Sequence, residues 1–297
     1  MLNETLSALH LQRGMKVIDC TLGDAGHSDA ILQKIGKEGS LLGIDADPEA
    51  VLRAKQFLYP YGDQVTFVRD NFSRLKKIAT ENNFFPASAI LMDLGWSSQQ
   101  FAERGRGFSF QSDEPLDMRY SAGLETTKRT AKEVVNEESE KELERIFRLF
   151  GEEKLSREIA AAIVHSREEK PIETTFELVE IVLEVYRKKL HSTKEIPWIG
   201  GLHPATKVFQ AIRIAVNQEL EVLEQALPQA IEVLAPGAVI AVITFHSLED
   251  RIVKHFFKSQ ENKSLKILSK KPIVCSEEEF KNNPPSRSAK LRYAQKI

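Results

Sequence analysis

Three acidic residues of this 297-residue chain, Asp19, Asp45 and Asp93, stand at or near the ends of the short apolar runs KVIDCT, SLLGID and ASAILMD. In an open α/β sheet such positions border the edge where ligands collect. Between the first two lies TLGDAGHS. Gly23 and Gly26 let the backbone turn sharply and approach a ligand, and a helix starting near Ser28 offers free backbone N–H groups. Asp45, about 20 positions after that turn, suits the two hydroxyls of an adenosine ribose. The dinucleotide signature GxGxxG is absent and Asp24 would crowd a pyrophosphate, which argues against a nicotinamide-dependent dehydrogenase. The pattern Asp-x-x-x-Gly-x-Ala better fits S-adenosylmethionine, whose zwitterionic end needs acceptors and N–H donors together.

Two further polar runs stand among apolar neighbours. FHSLEDR follows an apolar run and places His246 at a strand end, where chemistry is expected. PLDMR places Asp117 and Arg119 in a long loop that also carries Trp96, Phe108 and Phe110. Scattered histidines without paired spacing suggest no metal site. The two cysteines, Cys20 and Cys275, exclude a disulfide scaffold and a four-thiolate zinc site. Net charge is −2 overall, but the chain from Arg251 onward has twelve Lys/Arg against four Asp/Glu, leaving residues 1–250 at −10. That asymmetry suits a phosphate-facing edge on an otherwise acidic protein.

The elements that must position these residues are legible. Hydrophobic residues are 42% and charged residues 28%, the balance of an ordinary globular chain. Strands are expected over 16–21, 40–45, 65–70 and 87–93, with a helix over 28–35 stopped by Gly36 and Pro48 opening the next. From about Thr130 to Leu190 apolar residues recur at three- and four-residue spacing, as in Leu143, Ile146, Phe147 and Phe150, and predict helices only. Strand patterning resumes at AVIAVITF after the turn Pro236-Gly237, and LKIL and KLRYAQKI are candidate closing strands. The expected fold is α/β, a Rossmann-like sheet over 1–104 and 203–297 interrupted by a helical domain over 105–202. The chain lacks a basic-then-apolar leader and a membrane-length apolar run, so the cytoplasm is expected.

The motifs DLGWSSQQ, RGFSFQSDEPLDMR, GEEKLSREIAAAI, HPATKVFQAIRIAVNQELEVLEQAL, FHSLEDRIVK and NPPSRSAKLR occur in that order. Together they resemble the MraW family of ribosomal RNA small-subunit methyltransferases, from about Val17 to Arg292. The resemblance implies a Rossmann-like methyltransferase that uses S-adenosylmethionine to methylate N4 of a cytidine in the decoding region of 16S rRNA within the small ribosomal subunit. Carried over by motif, the cofactor contacts fall on Ala25, Gly26, His27, Asp45, Phe72, Asp93 and Gln100, beside Gly23 of the turn. Phe72 would flank the adenine. Ala25 and Lys207 stand where the family usually has glycine and arginine, and Glu114 where it has glycine.

N4 of cytosine is a poor nucleophile, so its methylation needs an acceptor that orients the amine and a methyl donor held in line. Asp93, Asp117 and His246 are the candidates to meet the base. Trp96, Phe108 and Phe110 could sandwich it once it leaves its stack, and Arg119, Lys207, Arg251 and Lys254 could contact RNA. An alternative reading keeps the fold and the RNA contact but assigns a catalytically weak small-subunit assembly factor.

Overall fold

A computed structural model describes residues 1–94, 105–120, 129–191 and 201–297. The chain divides into two compact units, Met1–Trp96 with Leu220–Ile297, and Ser97–Glu219.

The first unit opens with α1 (Leu2–Ala8), β1 (Lys16–Asp19), α2 (Gly26–Ile35), β2 (Ser40–Asp45), α3 (Pro48–Phe57), β3 (Val65–Arg69), α4 (Leu75–Glu81) and β4 (Ala87–Asp93). Strands β2 and β4 match the expected ranges. Helix α2 starts two residues early, at Gly26. Asp47 caps α3 by accepting the Glu49 N–H at 3.1 Å, with Pro48 opening the first turn. The two apolar faces of the strands sort by alternation. Val17, Leu41, Ala89 and Leu91 pack with α1, α2 and α3. Ile18, Leu42, Ile90 and Met92 pack on the other side, with Leu75 and Ile78 of α4. A parallel sheet buried on both faces needs such continuous apolar strands.

The second unit is helical among its described residues: α5 (Ala131–Glu137), α6 (Glu140–Phe150), α7 (Ser156–Glu169), α8 (Thr175–Leu190) and α9 (Thr206–Asn217). Thr130 with Glu133 and Thr174 with Glu177 form reciprocal capping boxes at the starts of α5 and α8. The unit extends past the expected boundary at 202 because α9 packs on α6 and α5. A helix that buries its apolar face on other helices belongs with them, whatever strands follow it in sequence.

The first unit resumes with α10 (Glu219–Val233), β5 (Leu234–Thr244), α11 (Ser247–Gln260), β6 (Leu265–Ile267), β7 (Ile273–Val274), α12 (Glu277–Asn282) and β8 (Lys290–Lys296). Strand order is β3-β2-β1-β4-β5-β8-β6, with β7 pairing β8. Strands β1 to β5 are parallel, and β8 runs antiparallel to β5, β6 and β7. The fold is Rossmann-like, closed by a reversed strand. Pro236 and Gly237 do not precede β5 but bulge from it, between the pairings Ala87 with Leu234 and Ala89 with Val239. Among the described residues no helix is long and apolar enough to cross a membrane.

Candidate active site

Strand order reverses at β1, whose neighbours β2 and β4 lead to opposite halves of the sheet. The carboxyl ends of β1 and β4 therefore flank the crevice where such sheets bind ligands. Asp93 stands there, its backbone N–H donating to Thr21 Oγ1 at 2.7 Å. His27, in the first turn of α2, holds Nδ1 3.3 Å from Asp93 Oδ2. Burial works against a charge on His27, but the carboxylates of Asp93 and Asp19 outweigh it and hold the imidazole above its ordinary pKa. Below this pair, buried Asp19 accepts Ser28 Oγ–H at 2.7 Å and the Thr21 N–H at 3.1 Å. Burial raises its pKa.

The turn between β1 and α2 is pinned to β2. Asp45 Oδ2 accepts the Gly23 N–H at 2.8 Å, and Oδ1 accepts the Asp47 N–H at 2.8 Å. Burial pushes Asp45 up to about 6, against the pull of those two N–H groups. Gly23 and Ala25 both adopt left-handed conformations, with φ 51° and 63°. A glycine serves this geometry without strain, whereas an alanine costs roughly 1–2 kcal/mol. The Ala25 side chain is fully buried in the cluster that contains Leu22 and Ile31, so it fills core space.

Gly26 differs from both. Its φ is not positive, and among the described residues a Cβ built on it would meet no atom within 4 Å beyond its chain neighbours and its own helix backbone. Neither backbone conformation nor packing among the described residues requires glycine there, and the missing side chain leaves room for a ligand to approach. His27 Nε2 and Asp93 Oδ1 are both buried and find no hydrogen-bond partner among the described residues. Phe72, at the start of the 3-10 turn Phe72–Arg74 after β3, is half-buried against the core. Glycine cradle, acidic β2 end, aromatic wall and orphaned polar pair fit a nucleoside cofactor with a charged amino-acid end. Gln100 and Trp96 lie outside the described residues.

The remaining candidates are occupied in ways that sequence did not reveal. His246 is the N-cap of α11. Its Nδ1 accepts the Glu249 N–H at 3.4 Å, while Glu249 Oε2 accepts the N–H groups of Phe245 at 2.8 Å and His246 at 3.2 Å. This is a capping box with histidine in the usual Ser/Thr place. His246 Nε2 lies 3.2 Å from Glu249 Oε1 without the alignment of a hydrogen bond. The chemistry expected of His246 thus competes with a structural duty.

In the helical unit Asp117 and Arg119, expected in separate roles, form one bidentate pair: Nε to Oδ1 at 2.8 Å and Nη2 to Oδ2 at 2.7 Å. Burial would raise Asp117, but the guanidinium prevails and holds the carboxyl below its ordinary value, making it a poorer proton acceptor. Their loop is held by Asn217, which donates to Met118 O at 2.8 Å and accepts the Tyr120 N–H at 2.8 Å. Phe108 is buried and stacked on Tyr120 at 5.6 Å, a packed position that presents no free face to a base. Lys207 Nζ donates to the Glu152 carbonyl at 3.0 Å. Glu114 carries a buried carboxylate that accepts the Gly107 N–H at 2.8 Å. Arg251 and Lys254 are exposed on α11.

Sequence reasoning missed Thr21, Ser28, Glu249 and Asn217. Only Glu249 left a signal, the spacing His-x-x-Glu.

The profile of the MraW methylase family matches residues 1–297. A protein of Carboxydothermus hydrogenoformans named ribosomal RNA small subunit methyltransferase H is 44% identical over 313 residues, covering 100% of this chain and 96% of its own. A Persephonella marina protein of the same name is 44% identical over 295 residues, covering 99% and 97%. Family profile and full-length likeness agree: the chain belongs to the MraW methylase family and is an S-adenosylmethionine-dependent methyltransferase.

Proposed function

We propose that the protein methylates N4 of a cytidine in the decoding region of 16S rRNA, acting on the small ribosomal subunit in the cytoplasm. Action on ribosomal RNA follows from the full-length relatives named for it. The observation that carries the amine as target is Asp93: a carboxylate at the switch point whose Oδ1 is buried and, among the described residues, unpartnered, beside the Gly26 cradle. An acceptor-only group suits an amine that must lose a proton. When bound, S-adenosylmethionine supplies an electrophilic methyl group.

Asp45 would hold the ribose, Phe72 the adenine, and Gly23, Ala25, Gly26 and His27 the amino-acid end, with Gln100 from the stretch after β4. Asp93 Oδ1 accepts an N4–H and turns the amine lone pair toward the methyl group. Trp96 is the remaining stacking candidate for the flipped base, because Phe108 packs on Tyr120 and Phe110 on His203 and Phe209. Arg251 and Lys254 contact phosphate. Asp117 and Arg119 act as a fixed ion pair that orients RNA, and His246 organises the α11 start beside β5. The helical unit forms the second domain of the enzyme.

The test is methyl transfer from labelled cofactor to small subunits isolated from cells lacking the gene, followed by mass spectrometry of the 16S rRNA. One N4-methylated cytidine in the decoding region is expected. Label on a ring carbon, on a ribose or on no nucleotide would refute the proposal.

A further inference from the structure

His27 has a partner that cofactor binding alone does not require. Its Nδ1 faces Asp93 Oδ2 at 3.3 Å, and each member of the pair keeps one buried atom, His27 Nε2 and Asp93 Oδ1, without a hydrogen-bond partner among the described residues. The side chains are 21% and 24% exposed, so the pair is partly open to solvent rather than sealed in the core. The Asp93 backbone is tied to Thr21. A carboxylate on a fixed backbone still turns about its terminal torsion, which is broad and two-fold. An N–H held against one oxygen removes that freedom and gives the other oxygen a single direction.

We infer that His27 is a positioning residue: its Nδ1–H fixes the Asp93 carboxylate so that Oδ1 meets the exocyclic amine of the target base. The inference rests on the role given to Asp93 above. As the new N–C bond forms, the methyl C–S bond breaks and its electron pair stays on sulfur. The amine proton leaves along the hydrogen bond to Asp93 Oδ1, while Oδ2 keeps the hydrogen bond from His27. Asp93 later returns the proton to water. Other charged groups also act on the imidazole. Asp19 of β1 and Glu279 of α12 favour its charged form, and the α-ammonium of Met1, 2.9 Å from Glu279 Oε1, opposes it.

Three variants test this: His27→Ala, His27→Asn and Asp93→Asn. The asparagine amide can donate from near the place of Nδ1. With cofactor saturating, His27→Ala should lower kcat about 10–100-fold, as expected when a reacting group is misplaced, and leave KM for the RNA within about twofold. His27→Asn should recover most of that loss. Independently of activity, NMR titration of the cofactor-free protein should find the His27 imidazole above its ordinary pKa and lower in Asp93→Asn. The inference is overturned if His27→Asn is as slow as His27→Ala, if saturating cofactor restores full rate to His27→Ala, or if the titration ignores Asp93→Asn. Any of these in a wild type that methylates a cytidine amine defeats the inference alone. A wild type that methylates no amine defeats the proposed function first.

Discussion

Removing the Asp45 carboxylate should separate cofactor binding from folding. Each of its oxygens accepts one backbone N–H, from Gly23 and Asp47, both at 2.8 Å. A carboxylate has about four acceptor sites, so about two remain, enough for two ribose hydroxyls. Hydrogen bonds to a charged group contribute about 1.5–3 kcal/mol, and Asp45→Ala should weaken S-adenosylmethionine binding about 10–100-fold. Because burial pushes Asp45 up to about 6, the free protein loses this acceptor as pH falls through that value. Affinity should then drop by up to about tenfold per pH unit below 6, while Asp45→Ala shows no such inflection. Stability should move the other way. A carboxyl raised in the folded state favours folding when protonated, so its contribution rises as pH falls from above 6 toward the unfolded value of about 3.9. Calorimetry between pH 5 and 8, with circular dichroism to verify folding, reads both effects. Wild-type affinity in a folded Asp45→Ala variant, or a wild-type Kd flat across that range, would refute the ribose assignment.

Gly26→Ala should leave the melting temperature unchanged or slightly raised, since among the described residues the added methyl meets nothing beyond its own helix, and should weaken cofactor binding; equal affinity by calorimetry would remove the cradle argument. Ala25→Gly should change stability by less than about 1 kcal/mol, because relief of the left-handed strain offsets the lost buried methyl and the added chain freedom; a larger loss in denaturant unfolding would contradict that balance. His246→Ala should cost about 1 kcal/mol of stability, the usual worth of an N-cap, and lower kcat less than tenfold; a loss of 10²–10⁴ in a folded variant would restore it as a proton-transfer group. Neutralising Arg251 and Lys254 together should reduce the salt dependence of small-subunit binding by about 1.4–1.8 in logarithmic slope, and an unchanged slope in filter binding would place the RNA elsewhere.

The parts of the fold written in hydrophobic periodicity were legible. β2 and β4 were readable to the residue because buried parallel strands are uninterrupted apolar runs between turn signals. α1 and α12 escaped notice: they are short, and α12 buries none of its residues, so its sequence carries no stripe. The domain boundary was missed because α9 has the same amphipathic pattern whichever unit it packs against. At the site, residue types revealed Asp45, Asp93 and the glycine turn. What each side chain already touches was not legible. The Asp117 pairing with Arg119, two positions on, depends on the left-handed turn at Met118, φ 57°, which no residue type there announces. Likewise, His246 looked chemical because histidine is an uncommon cap; only the Glu249 contact shows its duty.

The pairing of β4 with β5 carries a consequence for how the chain folds. Asp93 lies opposite Ile243, yet the whole helical unit is threaded between these two strands. From an open chain, joining them requires closing a loop as long as that unit, with an entropic penalty that grows with the logarithm of its length. If the helices condense first, from contacts within their own unit, much of that closure precedes strand docking. A variant that loosens the helical unit should therefore slow assembly of the sheet itself, and Asp93, at the end of β4, would be among the last residues brought into working order. The insertion then works as a folding clasp for the very strand that carries the proposed chemistry.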